Sequence, residues 1–401
     1  MPSKPKSRLR SIPIEIIILS AAFLFIFMGA GAQQQFLAPY FGASREWSPI
    51  VRGLVPAAVY IGLVFSRVPA LWVVSRIGER AAMLIGGGAY VAFPLVVYFA
   101  NPLPLLIIGA LLWGSGAALM WVTGSIRVID AVSARNYGKA SGVFVGSVHT
   151  GVLVGMLVLS WTADHFGLRA VFLVASVLSA VGWIIMMTLP GTRAIRTVPD
   201  IPGMLAVTRL PNWSIVAALL GLAALGYGLM LVPLGEALVE TLGVSSLALA
   251  AIYPAGRLIV SLTGGWLSDV VGRRGVIVAG FMMAGVGLAV TAYQFGEPWA
   301  MALGIFSVGL LGGIAPAVGL AFVGDVATPE RRLMVHASLF TTNDLGVATA
   351  IIAGQFLRGS IGGFVPTFAA FSVALIACGI WAAVSFRPVA VMGGKRQDLP
   401  D

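Results

Sequence analysis

Arg257, Asp344 and His149 are the residues in this sequence whose types can do chemistry and whose surroundings suit them least. Each stands near the middle of an apolar run, at roughly 246–268, 334–357 and 139–162 respectively. A guanidinium presents a fixed fork of donors that matches a carboxylate or similar oxyanion. A carboxylate trades its charge for a proton, and an imidazole does so near neutral pH. Together, the three could hold an anion and pass on a proton. The competing reading of Arg257 is a permanent buried ion pair, with Asp344 as its expected partner; that of His149 is a hydrogen-bonded packing residue. Asn343, next to Asp344, offers a neutral hydrogen bond, and so does Gln34 within Gln33-Gln34-Gln35. Tyr227 and Tyr253 have polar tips suited to a ligand. Arg67 lies close enough to the end of its run for its head group to snorkel. Glu236 and Glu240 are expected in solvent.

The elements that position these residues follow from composition. Of 401 residues, 59% are hydrophobic and 10% charged, where a soluble domain carries roughly 25% charged residues. A helix needs about 20 apolar residues to cross a bilayer. Runs of that length fall at roughly 13–37, 50–74, 81–100, 103–126, 139–162 and 168–189. They resume at roughly 213–236, 246–268, 275–294, 299–322, 334–357 and 364–386. Barrel strands would be short and alternating, whereas these runs are apolar on every face. The sequence therefore predicts an all-α polytopic membrane protein with twelve transmembrane helices in two six-helix halves. The first bundle is placed at 1–189 and the second at 212–401. A cytoplasmic linker at 190–211 holds four prolines with Arg193, Arg196 and Arg209.

A net charge of +10 would ordinarily suggest a nucleic-acid partner. Most of the 25 lysines and arginines, from Lys4, Lys6, Arg8 and Arg10 to Lys395 and Arg396, instead fall in the segments on one side of the twelve runs. That asymmetry reports topology: both termini cytoplasmic, in the cytoplasmic (inner) membrane, with no nucleic acid bound. The basic start, followed by an apolar run ending in Ala30-Gly31-Ala32, also has the form of a secretory signal. The run is longer than such a signal needs and continues through Phe36 and Phe41, which favours a first helix. Cys378, the single cysteine, is expected to be a packing residue.

The two halves repeat each other. Gly29-Ala30-Gly31 matches Gly226-Tyr227-Gly228, and Ser75-Arg76-Ile77-Gly78-Glu79-Arg80 matches Asp269-Val270-Val271-Gly272-Arg273-Arg274. Asp130 matches Asp325, and His149-Thr150-Gly151-Val152 matches Asp344-Leu345-Gly346-Val347. Such repeats mark transporters whose halves rock about a central site.

On these residues the chain resembles the major facilitator superfamily over essentially its whole length. Gly265-Trp266-Leu267-Ser268-Asp269-Val270-Val271-Gly272-Arg273-Arg274 is similar to that family's G-x-L-x-D-R-x-G-R-R loop, with Val270 the departure. The resemblance implies a gate in which Asp269 pairs with Arg273, Arg274 and helix dipoles across the half interface. The first-half copy, with Arg76 and Arg80, has Leu71 and Ser75 at the glycine and aspartate positions, so its latch should be weaker. Asp325 to Arg332 resembles the family's acidic-then-basic loop. In the helix-4 motif Ala110 replaces the family's arginine, and helix 5 lacks the G-x-x-x-G-P of drug antiporters. An arginine in the middle of helix 8 is similar to the arrangement in the monocarboxylate and oxalate–formate branches.

No enzyme constellation appears: no H-E-x-x-H, no G-x-x-x-x-G-K-[ST] and no paired cysteines. No cofactor or metal is expected, and energy must come from a gradient. The sequence points to a proton-coupled or exchange transporter of a small organic anion, working as a monomer in the bilayer. The alternatives are an exporter of hydrophobic drugs or metabolites, which would make Arg257 structural, and a non-transporting receptor or scaffold. Gly142, Gly146, Gly151 and Gly155 are read as a small-residue surface for close helix packing.

Overall fold

The computed structural model describes residues 13–45, 47–100, 102–132, 137–191, 206–210, 212–326 and 332–385. The six helices of the first half are α1 (Ile14–Arg45), α2 (Pro49–Ile77), α3 (Glu79–Phe99), α4 (Leu103–Ala131), α5 (Tyr137–Phe166) and α6 (Leu168–Met187). Those of the second are α7 (Trp213–Leu242), α8 (Ile252–Val271, entered through a 3₁₀ segment at Val244–Ala251), α9 (Arg273–Tyr293), α10 (Pro298–Val326), α11 (Arg332–Ser360) and α12 (Phe364–Ser385). Eleven of them are long and apolar enough to cross a membrane. The twelfth, α11, is as long but carries Asn343, Asp344, Gln355 and Arg358 along its length. With twelve helices, α1 begins and α12 ends on one side, here called the terminal face; the other side is the far face.

Local chemistry sets the helix ends. Pro49 and Pro298 open α2 and α10, where a first-turn residue needs no N–H. Gly78 and Gly272, equivalent by the repeat, both take φ +83° with extended ψ between paired helices, a conformation essentially reserved for glycine that costs other residues roughly 1–3 kcal/mol. Mid-helix, α1 and α7 each carry a π-turn, at Phe27–Gly31 and Met230–Leu234, and the second contains Pro233. Such turns widen a helix locally and often accompany functional sites.

The packing follows the repeat in part. α1 lies against α5 and α7 against the equivalent α11, whereas the second neighbour is α6 for α1 and chiefly α10 for α7. Gly151 of α5 faces the backbone carbonyl of Leu24 so closely that no side chain would fit, and Gly346 of α11 meets the carbonyl of Gly221 in the same way. Gly155 likewise faces Met28, whereas Gly142 has open space around it. Between the halves, α2 packs on α11 and α5 packs on α8, two contacts related by the internal pseudo-twofold. Phe65, Phe99, Leu112, Val373 and Val384 point outward, where hydrocarbon would cover them. The charges are gathered inside and at the two faces.

Candidate functional site

Arg257 sits half-buried in the first half of α8. Its guanidinium carbon lies 5.6 Å from the Tyr227 ring centroid and 5.8 Å from that of Tyr253. These two rings stack at 5.2 Å. Tyr227 also meets Tyr60 of α2 edge to face at 6.2 Å, and the Tyr60 hydroxyl donates to Gln34 Oε1 at 2.7 Å. A continuous row of side chains thus runs from Arg257 in the second half to Gln34 in the first. His149 of α5 is buried without a hydrogen-bond partner among the described residues, and lies near enough for Arg257 to act on it electrostatically.

No carboxylate pairs with Arg257 among the described residues, and its Nε is a buried donor with no acceptor; the buried Tyr253 hydroxyl lies within reach of the guanidinium. The contrast with other helix-buried arginines is complete. Arg67 holds Asp344, and Arg127 holds Glu15 at 2.7 Å and Glu79. Placing an arginine at bilayer depth costs at least ~2.5–3.5 kcal/mol. At Arg257 no carboxylate among the described residues offsets that cost.

The expected Arg257–Asp344 pair does not form. Asp344 instead accepts from Arg67 Nε at 2.5 Å, across the α2–α11 contact between the halves. Both are buried, at 3% and 7% exposure, so Arg67 does not snorkel to the end of its helix. Asn343 Nδ2 lies 3.4 Å from the other Asp344 oxygen, in the neutral role its position suggested. The physical reason is register: α2 runs alongside α11 and brings Arg67 level with Asp344, whereas Arg257 belongs to the α5–α8 contact.

Glu236 and Glu240 are not simply solvated. Glu236 is 1% exposed and receives hydrogen bonds from Arg52 at 2.9 Å, Arg358 at 2.7 Å and Gln355 at 2.7 Å. Glu240, 46% exposed, holds Arg358 at 2.6 Å and Arg52 at 3.5 Å. This network closes the far face between α2, α7 and α11. The signal in the sequence is spacing: Glu236 and Glu240 lie one turn apart on α7, as Gln355 and Arg358 do on α11.

On the terminal face the expected gate arginines are engaged within their own halves. Arg80 donates to the carbonyl of Met187 at the end of α6, and Arg274 donates to that of Ala383 at the end of α12. Both contacts anchor each half's last helix. Arg76 is exposed and lies over the Trp72 ring at 5.3 Å. Arg273 opens α9. The Asp269 side chain lies outside those described. Arg127 is buried where it ties α4 to Glu15 of α1, Glu79 of α3 and the carbonyl of Pro190.

Two pseudo-symmetric six-helix bundles, with charge pairs between them and polar groups at the centre, define a transporter of the rocking kind. The sequence model described as Major Facilitator Superfamily matches residues 19–234 and 216–398, and the chain belongs to that family. It is therefore a multi-pass membrane protein of a transporter family. A stretch of 125 residues is 32% identical to the MFS-type transporter ppzB of Metarhizium rileyi, covering 31% of this chain and 26% of that protein. A similar stretch is 30% identical to the ppzB protein of Metarhizium majus, covering 31% and 27%. The matched stretch thus spans about a quarter of these relatives' length. Among solved structures, the nucleoside transporter NupG superposes with a TM-score of 0.74 at 13% identity, covering 93% of this chain and all of that one. A POT family transporter in complex with 5-aminolevulinic acid gives 0.75 at 14% identity, covering 95% and 97%. These likenesses establish the fold.

Proposed function

We propose that this secondary transporter moves a small organic anion by alternating access, with Arg257 as the anchor for the negative group. The observation that carries the reading is that Arg257 has no carboxylate partner among the described residues and a buried Nε with no acceptor, near the buried His149 of the opposing half. A guanidinium does not give up its proton at any physiological pH. Its cost in the membrane is offset when an anion occupies the fork. Tyr227, Tyr253, Gln34 and Asn343 supply the walls and neutral hydrogen bonds, and His149 and Asp344 are the groups able to carry a coupling proton. Transport is either proton-coupled or by exchange of one anion for another. The chain acts as a monomer in the cytoplasmic membrane, with the terminal face on the cytoplasmic side, as its basic segments require.

The test is a thermal-shift screen of purified protein against carboxylates, inorganic oxyanions, sugars and amphipathic cations, since a ligand stabilises the state it binds. Stabilisation by one or more anions, lost in Arg257→Ala, is the expected result. Stabilisation by amphipathic cations alone, unchanged in Arg257→Ala, would replace this reading with an exporter of apolar compounds.

A further inference from the structure

Two ionic contacts join the halves among the described residues. One is the far-face network of Arg52 with Glu236 and Glu240; the other is Arg67 with Asp344. They differ in one respect. Glu236 keeps Arg358 and Gln355 from its own half if Arg52 leaves, whereas Asp344 has only the neutral Asn343 on its own helix. The groups acting on Asp344 from α2 are Arg67 and Tyr60, and from α3 Tyr90; its own helix adds Asn343. His336 of α11 faces Arg67. The helices α7, α10 and α12, also packed on α11, bring no acid or base that acts on Asp344 among the described residues.

A buried pair of this kind has two states and not a continuum. Removing one charge leaves the other stranded in low dielectric, at a cost of several kcal/mol. Arginine holds its proton, so only the carboxylate can change charge. A protonated Asp344 remains hydrogen-bonded beside Asn343, but Arg67 is then an unpaired cation over the Phe340 ring, at 5.9 Å from its centroid. It must move away from α11 to find water or another anion. We infer that Asp344 is a proton-binding site and that Arg67 is the residue through which the bound proton separates α2 from α11. The step is one proton from water to the Asp344 carboxylate, with the loss of one ion pair. It holds whatever the cargo. Arg67 acts as a positioning residue and need not touch substrate.

The inference is tested without ligand, in lipid nanodiscs. Spin labels are placed at Ile77→Cys and Met334→Cys, near the terminal ends of α2 and α11, on a Cys378→Ala background. Their distance distribution is then recorded across a pH series. The short distance should give way to a longer one as pH falls. Asp344→Asn and Arg67→Gln should each show the longer distance at every pH. The exchanged pair, Arg67→Asp with Asp344→Arg, should recover both the short distance and its response to pH, because the carboxylate still binds the proton; the loss of that response in the single variants is what a merely structural role would not produce. A distance indifferent to pH in the unaltered chain overturns the inference. So does an Asp344→Asn chain that stays short, or an Arg67→Gln chain that keeps the full pH response.

Discussion

A buried charge is read by what it holds, and the arginines of this chain divide on that criterion. Arg67 and Arg127 hold carboxylates, Arg52 and Arg358 share them, and Arg257 holds none among the described residues. Two predictions follow from their chemistry. Arg257→Lys should lose most of its anion affinity, because a point charge does not reproduce a two-pronged contact; equilibrium binding of the anion found by screening measures it. Glu236→Gln should lower the folded protein's stability by about 1–3 kcal/mol, since it leaves Arg52 and Arg358 with only the half-exposed Glu240 for a counter-charge. Glu240→Gln, at a site nearly half exposed, should cost at most about 1 kcal/mol. Thermal unfolding in detergent separates the two, and equal losses would contradict the assignment of Glu236 as the centre of the network.

At the scale of elements, the glycines of α5 and α11 set how closely the helices approach. Gly151→Leu and Gly346→Leu would each drive a side chain into a neighbouring backbone carbonyl, so each should destabilise by about 1–3 kcal/mol or displace α1 or α7. Gly142→Leu, in open space, should be tolerated. Comparing the melting temperatures of the three variants checks this. The helices themselves were legible in the sequence because spanning length and apolar composition leave few alternatives. The pairing Gly151/Gly346 was legible too, since the repeat carries a packing role as well as a residue type. What lies between helices was less so. Nothing in a linear run says which face of α2 meets α11, so Arg67 read as a residue near a helix end and Asp344 was matched to the wrong arginine. Glu236 was misplaced for the same reason: position near the end of a run suggests water, while burial depends on neighbours that only the fold brings.

For the whole molecule, the far face is closed by a network to which the first half contributes, among the described residues, the side chain of Arg52. Arg52→Met should therefore leave the second half's cluster intact while loosening the contact between halves. A cysteine at Ala57, buried one turn inward of Gly53 on α2, should then react faster with a membrane-impermeant thiol reagent than it does with Arg52 present. An unchanged rate would mean that apolar packing alone holds that face shut. Opposing closures at the two faces are what alternating access requires. The family's loop motif points to the terminal-face closure; there Arg80 and Arg274 each hold a carbonyl of their own half, and the Asp269 side chain lies outside those described.

The central claim is that Arg257 carries the cargo's negative charge, and uptake into liposomes tests it most directly. Purified protein is reconstituted, and accumulation of a labelled anion identified by stabilisation is followed with and without a pH gradient. The unaltered chain should accumulate the anion, by gradient-driven uptake or by exchange against internal anion, and Arg257→Ala should not, despite folding and inserting normally. An Arg257→Ala protein that transports the same anion at the unaltered rate would contradict the account.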